Sequence, residues 1–172
     1  MKRYWIWPGL VVALLAGVAD AGAKTRAPAA APGEVVAGRA SIIDGDTIDI
    51  HGTRIRLSGI DTPERGQSCE RAGAAYRCGT EASRVLDGLV ADQPVSCAVV
   101  AVDRYGRLVA TCHKGALDLN GEMVRLGWAL AYRTYSKAYI GAEDEARVAR
   151  RGIWAGTFEA PWDWRRAKRN KG

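Results

Sequence analysis

From position 35 onward the chain runs in short stretches of alternating apolar and polar residues, broken by turn formers. Residues 35–43, 47–50 and 54–57 are rich in Val, Ile and Thr, and Asp44-Gly45-Asp46 and His51-Gly52 stand between them. That pattern predicts three strands joined by tight turns. The period then changes. After Thr80, a candidate N-cap, Ala82, Val85, Leu86, Leu89 and Val90 recur at helical spacing and predict one amphipathic helix. Two further strands, residues 95–102 and 108–113, flank Asp103-Arg104-Tyr105-Gly106-Arg107 as a hairpin. Asn120 is placed to cap a short helix through Leu126 with Gly127 as its terminator, and a last helix is predicted over residues 137–151, ending at Gly152. Strands, a helix, two more strands and then helices point to an α+β domain around a small closed sheet.

Outside this region the patterning differs. Residues 1–23 combine Lys2 and Arg3, an apolar run and Ala21-Gly22-Ala23, the arrangement of a secretory signal; the run is too short to span a bilayer, which takes about 20 apolar residues. Residues 24–34 are rich in Ala and Pro and read as a flexible linker. Residues 35–157 form the predicted domain. Residues 158–172 read as a C-terminal arm, in which Pro161, Trp162 and Trp164 follow Trp154 and lie on the barrel. The basic run Arg165, Arg166, Lys168, Arg169 and Lys171 reads as a solvated tail with a salt-sensitive attraction for nucleic acid.

The formal net charge of +6 favours polyanions but decides nothing alone, since many exported proteins are mildly basic. Cysteine usage says more. Four cysteines in an exported chain imply two disulfides. Cys97 and Cys112 flank the hairpin turn almost symmetrically, so facing strand positions pair them, and Cys69 with Cys78 then closes a local loop. Zinc is a poor alternative, because no CxxC pair is present and His51 and His113 complete no ligand set.

The candidate chemistry sits where strands turn. Asp44-Gly45-Asp46-Thr47 places two carboxylates two residues apart, and Asp61-Thr62-Pro63-Glu64 follows the strand that carries Arg56. By itself the first motif is equally an ordinary turn closed by Asx hydrogen bonds. An EF-hand loop is excluded, since its sixth position would be Asp49 instead of Gly and its twelfth Ile55 instead of Glu. If both turns lie at one end of the barrel, Asp46 and Asp61 can share a hard cation such as calcium, which accepts carboxylate, carbonyl and water oxygens together. Phosphodiester hydrolysis also needs fixed positive charge, for which Arg56 and Arg107 are the candidates, and a carboxylate on the attacking water, for which Glu64 is placed.

Three ordered stretches, Asp44-Gly45-Asp46-Thr47, Arg56-Leu57-Ser58-Gly59-Ile60-Asp61-Thr62-Pro63-Glu64 and Asp103-Arg104-Tyr105-Gly106-Arg107, resemble the motifs of the staphylococcal nuclease (thermonuclease) family. The later Gly-Trp-Ala-Leu-Ala-Tyr and Ala-Arg-x-x-x-x-Gly-Ile-Trp patterns are similar too. The resemblance implies a five-stranded OB-type Greek-key β-barrel with about three α-helices. It implies that Asp46, Asp61 and the Thr62 carbonyl ligate Ca2+, with Asp44 behind them, that Arg56 and Arg107 clamp the scissile phosphate, and that Glu64 is the general base. Tyr105 would hydrogen-bond a neighbouring phosphate, and Tyr132, with Tyr135 less directly, would form an aromatic floor for a base. The implied activity is endonucleolytic cleavage of DNA and RNA with little sequence preference, leaving 3′-phosphate ends. Two departures from the family pattern border the cleft: a short Asp46 to Arg56 hairpin, and Cys69 and Cys78 in the segment between Gln67 and Gly79.

An OB barrel also serves as a non-catalytic module that binds nucleic acid or protein, and fold alone does not separate the two. The complete acidic set with both arginines favours the enzyme. The chain is accordingly expected to be a secreted or periplasmic monomer, with nucleic acid as substrate, no stable protein partner and no membrane span once the signal is removed.

Overall fold

The computed structural model describes residues 30–170. The signal segment 1–23 and most of the linker lie outside the described residues. The first strand, β1 (Val35–Asp44), changes partner along its length. Its first half pairs with β7 (Pro94–Val102) and its second half with β2 (Thr47–Ile50). β2 pairs with β3 (Thr53–Leu57), β7 with β8 (Leu108–Lys114), and a parallel β3 to β8 pairing closes the ring. The result is the closed five-stranded barrel and α+β class expected from the sequence.

Alternation decides which side chains enter the barrel. Ile48, Ile50, Ile55 and Leu57 on β2 and β3, and Leu108, Ala110 and Cys112 on β8, all point inward and are buried. Helix α1 (Cys78–Val90) lays Ala82, Leu86 and Val90 on the same core. Helix α2 (Leu119–Arg125) adds Leu119, Met123 and Val124. Each fully buried Leu or Ile contributes roughly 1.5–3 kcal/mol. Cys97 and Cys112, directly opposite each other in the β7 to β8 register, form one disulfide inside this core, and Cys69 with Cys78 forms the other, as the sequence led us to expect.

Smaller pairings place the loops. β4 (Ile60–Asp61) pairs with β10 (Leu130–Ala131), so the segment after α2 lies beside Asp61. β5 (Cys69–Arg71) and β6 (Ala74–Tyr76) make a hairpin within the disulfide loop, and β9 (Leu117–Asp118) extends β8.

The helices depart from expectation in four places. α1 begins at Cys78, so Thr80 is inside its first turn and is no cap. α2 is capped by Asp118, whose Oδ1 accepts from the Gly121 amide, and Asn120 is buried instead. α3 (Ile140–Val148) stops before residue 151 because Arg150 takes a left-handed conformation with φ 50°, and a 3₁₀ turn, Gly152–Ala155, follows. The fourth correction matters most: the C-terminal arm and basic tail contain a helix, α4 (Pro161–Arg169), begun by a proline that needs no amide partner there.

Asn120 is a buried tie. Its Oδ1 accepts from the Cys112 amide, and its Nδ2 donates to the Ser58 and Ala110 carbonyls. Asn120→Ala strands the Cys112 amide and the Ser58 carbonyl without a side-chain partner, at about 1–3 kcal/mol per unsatisfied buried group. Urea denaturation of this variant is expected to show a loss of about 2–4 kcal/mol.

Candidate active site

The turn after β1 and the segment after β3 come together at one end of the barrel. Asp44 Oδ1 accepts from the Asp46 amide at 3.1 Å, so the Asx turn exists and shapes the site at once. The turn is packed tightly there. A Cβ on Gly45 would meet Thr62 Oγ1 at 2.8 Å and the Ala82 Cβ at 2.9 Å. Thr62, buried, also points its amide at Asp46 Oδ2 at 3.4 Å.

Arg56 joins the two carboxylates. Its Nη1 donates to Asp46 Oδ1 at 3.1 Å, and its Nη2 lies 3.0 Å from Asp46 Oδ2 and 2.7 Å from Asp61 Oδ1. The three residues are set by register, since Thr47 pairs with Arg56 across the β2 to β3 ladder and Asp61 follows in β4. Asp61 is fully buried. Burial pushes the Asp46 carboxyl up to about 7, with Asp44 and Asp61 adding to the rise and Arg56 opposing it. For Arg56 burial works against the charge, but Asp46 and Asp61 outweigh it and hold its guanidinium above the ordinary arginine range. For Asp46, burial thus outweighs the attraction of Arg56.

Glu64 lies at the mouth of the cluster, half exposed. Its backbone is held by Gln67, a buried residue that the sequence did not mark. The Glu64 amide donates to Gln67 Oε1 at 3.1 Å, and the Gln67 amide donates to the Glu64 carbonyl at 2.7 Å. Gly79 at the start of α1 packs against the same stretch, where an added Cβ would sit 1.8 Å from the Glu64 carbonyl oxygen.

Arg107 is one residue before β8. Val109 pairs with Arg56, and alternation puts positions 107 and 109 on one face of the sheet, the face of Arg56. Its guanidinium is paired with Asp103, with both Nε and Nη2 at 2.7 Å from Oδ2. The structure thus joins Asp46, Arg56 and Asp61 directly and leaves Arg107 on a neighbouring turn. Tyr105, 70 % exposed, lies beside it, with the Arg107 guanidinium 5.7 Å from the ring centroid.

Tyr132 follows β10, and its amide donates to the Gly59 carbonyl at 2.9 Å. Its ring stacks on Trp162 of α4 at 5.8 Å between centroids and 8° between planes. Tyr135, 76 % exposed, stands edge-on to it at 4.9 Å. Arg165, read from the sequence as part of a solvated basic tail, lies on α4 and reaches into the cluster. Its Nη2 donates to Asp61 Oδ2 at 2.7 Å, and its Nη1 to Asp61 Oδ1 at 3.1 Å and Glu64 Oε1 at 2.7 Å. The only advance sign of it was Pro161 opening a polar stretch with Trp162 and Arg165 three residues apart.

A family model described as staphylococcal nuclease homologue matches residues 54–156. The chain belongs to the staphylococcal nuclease family. It is 40 % identical over 150 residues to the succinoglycan biosynthesis protein ExoI of Rhizobium meliloti (strain 1021), covering 85 % of this chain and 74 % of that protein. Over 156 residues it is 36 % identical to the micrococcal nuclease of Shigella flexneri, covering 80 % and 82 %. Over 120 residues it is 37 % identical to a probable staphylococcal-like nuclease, CAN2, of Oryza sativa subsp. japonica, covering 68 % of this chain but 30 % of that one. Like its family, this chain is a nuclease, an enzyme that hydrolyses phosphodiester bonds. α4, with Arg165, lies beyond the span that the family model matches.

Two outcomes follow for this staphylococcal nuclease homologue. Gly79→Ala must push the Glu64 carbonyl away, so cleavage of a plasmid substrate is expected to fall together with thermal stability, and an unchanged melting temperature contradicts the packing. Asp46 in the folded chain keeps its proton up to about 7, against 3.8 for the ordinary group. Between those values the folded state holds more protons than the unfolded chain, so in chelator Asp46 costs increasing stability as pH rises from about 4 to about 7. Asp46→Asn removes that cost. Its stability relative to the parent is expected to climb through this window, by at most about 1.4 kcal/mol per pH unit, in urea denaturation at stepped pH.

Proposed function

We propose that the chain is a calcium-dependent endonuclease that cuts DNA and RNA with little sequence preference and leaves 3′-phosphate and 5′-hydroxyl ends. The observation that carries this reading is the continuous buried cluster of Asp46, Arg56 and Asp61, with Glu64 at its open side.

Among the described residues no group of three or more His, Cys, Asp or Glu side chains is gathered to hold a metal ion. The proposed set is smaller: Asp46, Asp61 and the Thr62 carbonyl. Its donors are all oxygen, and two of them are buried carboxylates side by side, so the set fits a hard divalent cation that completes its coordination with water. When bound, calcium supplies charge neutralisation at the phosphate oxygens.

The chain's own residues do the rest. A guanidinium carries more donors than the two hydrogen bonds that Arg56 spends on Asp46 and Asp61, so it can also hold a phosphate oxygen. Arg107, on the same face, closes on the phosphate from the neighbouring turn once it leaves Asp103. Glu64 orients a water and takes its proton as the water oxygen bonds to phosphorus; the bond from phosphorus to the 5′ oxygen breaks, that oxygen takes a proton from solvent, and Glu64 returns its own to solvent. Charge develops on the phosphoryl oxygens beside the two guanidiniums, where fixed donors act most strongly. Tyr105 donates to a neighbouring phosphate, and Tyr132 with Tyr135 gives the base a stacking surface that accepts any base. Residues 35–157 hold this whole machinery, acting as a monomer. We further infer export of the chain, with which two disulfides agree. No helix among the described residues is long and apolar enough to cross a membrane.

The test is release of acid-soluble nucleotides from single-stranded DNA and from RNA, in calcium and in chelator. Calcium is expected to be required, and Glu64→Gln and Arg107→Ala are each expected to lower kcat by about 10²–10³-fold while the protein stays folded. Undiminished cleavage in chelator would falsify the metal role. Products that accept 3′-end labelling without phosphatase treatment would rule out 3′-phosphate ends.

A further inference from the structure

One of the proposed calcium ligands, Asp61, is already engaged by a side chain from the C-terminal helix. Arg165 occupies both oxygens of Asp61, at 2.7 and 3.1 Å, and takes Glu64 Oε1 at 2.7 Å with the same Nη1. Asp61 Oδ1 also receives Arg56, so every oxygen of this buried carboxylate is committed to a guanidinium. Asp61 Oδ2 keeps a second lone pair, but a divalent cation held there at about 2.3–2.6 Å would sit directly beside the Arg165 guanidinium, and like charges repel strongly in a buried site. Cation and Arg165 therefore compete.

The helix that carries Arg165 covers a second part of the cleft. One turn earlier, Trp162 stacks on Tyr132, occupying a ring face proposed to receive a base. α4 is delivered there by an independent set of contacts. The Glu70 and Thr157 backbones exchange two hydrogen bonds at 2.9 Å, and Gln67 Nε2 donates to the Glu159 carbonyl at 2.6 Å. A Cβ on Gly156 would lie 1.8 Å from the Glu70 carbonyl oxygen. The chain as far as residue 159 is thus pinned to the β5 to β6 hairpin. α4 beyond it faces solvent with Arg166, Lys168 and Arg169, and Arg165 is the residue that ties it to the cluster.

We propose that Arg165 is a positioning residue of the cleavage centre, a built-in countercation that holds Asp61 and Glu64 and that a divalent cation displaces on binding, releasing α4 from Tyr132. Before the metal arrives Arg165 balances carboxylate charge and keeps Glu64 turned toward Asp61. Once displaced, it frees Glu64 for water and uncovers the stacking ring. Metal occupancy and access to the base position are then one event.

This inference rests on Asp61 as a calcium ligand, and the experiment separates the two. Calcium binding is measured by titration calorimetry on the full chain and on Arg165→Gln, Arg165→Lys and Arg166→Gln. Arg166 sits next to Arg165 but, among the described residues, pairs with Asp163 and not with the cluster, so its variant reports the general effect of removing one positive charge. Arg165→Gln is expected to bind calcium about tenfold more tightly than the parent, equivalent to losing roughly 1.4 kcal/mol of competition. Arg166→Gln should change affinity far less. Arg165→Lys, which keeps the charge but not the two-pronged contact, should fall between. In parallel, calcium is expected to speed amide hydrogen exchange across residues 161–169 in the parent and to leave it unchanged in Arg165→Gln. Equal affinities for the parent and Arg165→Gln, or an α4 whose exchange in the parent ignores bound calcium, overturn the role of Arg165 alone. Absence of binding heat from both proteins overturns the calcium site itself, and the inference with it.

Discussion

Everything at the cleft follows from burying Asp46 and Asp61 around the Arg56 guanidinium that they share. Two carboxylates taken out of water cost several kcal/mol each unless charge and hydrogen bonds replace the lost solvation. Arg56 reaches both, and it is placed by a barrel ladder whose register cannot slip without turning Ile48, Ile50, Ile55 and Leu57 out of the core. The stable part of the fold thus holds the electrostatically expensive part in place. Burial nonetheless pushes the Asp46 carboxyl up to about 7, by more than Arg56 draws it down. A site built this way is ready for positive charge, whether it arrives as a cation, a guanidinium or both.

The disulfide-closed segment that departs from the family pattern and the C-terminal arm meet in space. The β5 to β6 hairpin, closed by Cys69 and Cys78, forms a small apolar cluster with Leu130 and Ile153, flanked by Tyr76, Trp154, Phe158 and Trp162. Arg71 fastens the hairpin further, donating to the Gly152 carbonyl at 2.6 Å. The disulfide loop is therefore a platform, and the tryptophan-rich arm is what it carries. Neither makes sense alone: without the hairpin the arm has no strand to join at Glu70, and without the arm the hairpin would expose the apolar face that Phe158 and Trp162 now cover.

How much of this was legible from residues alone depended on how local each feature is. Asp46, Arg56 and Asp61 sit on strands and turns whose own spacing sets their register, so reading the strands located the cluster. Cys97 and Cys112 were pairable for the same reason. Asn120 was misread because Asp118, two residues earlier, competes for the same cap, and nothing in the helical period announces three hydrogen bonds to strands. The left-handed Arg150 that shortens α3 has no compositional mark, unlike a glycine in the same conformation. Arg107 was read as a phosphate clamp, and its pairing with Asp103, four residues away in the same motif, went unread. Arg165 is the opposite case. It is 104 residues from Asp61, and its position is fixed by contacts at Glu70 and Gln67 that no periodicity reveals.

The placement of Arg165 also divides the molecule by stability. The barrel, with its internal disulfide and closed ladder, has no free edge along which to open, whereas α4 is held by the ion pairs of Arg165 and by Trp162, which stacks on Tyr132 and borders the small apolar cluster. An ion pair between a buried carboxylate and a guanidinium gains little net free energy, because desolvation consumes most of the attraction. Such a contact is well suited to exchange. It satisfies Asp61 in the absence of other cations, yet its departure leaves every strand untouched, so the site can change its positive partner without disturbing the register that created it.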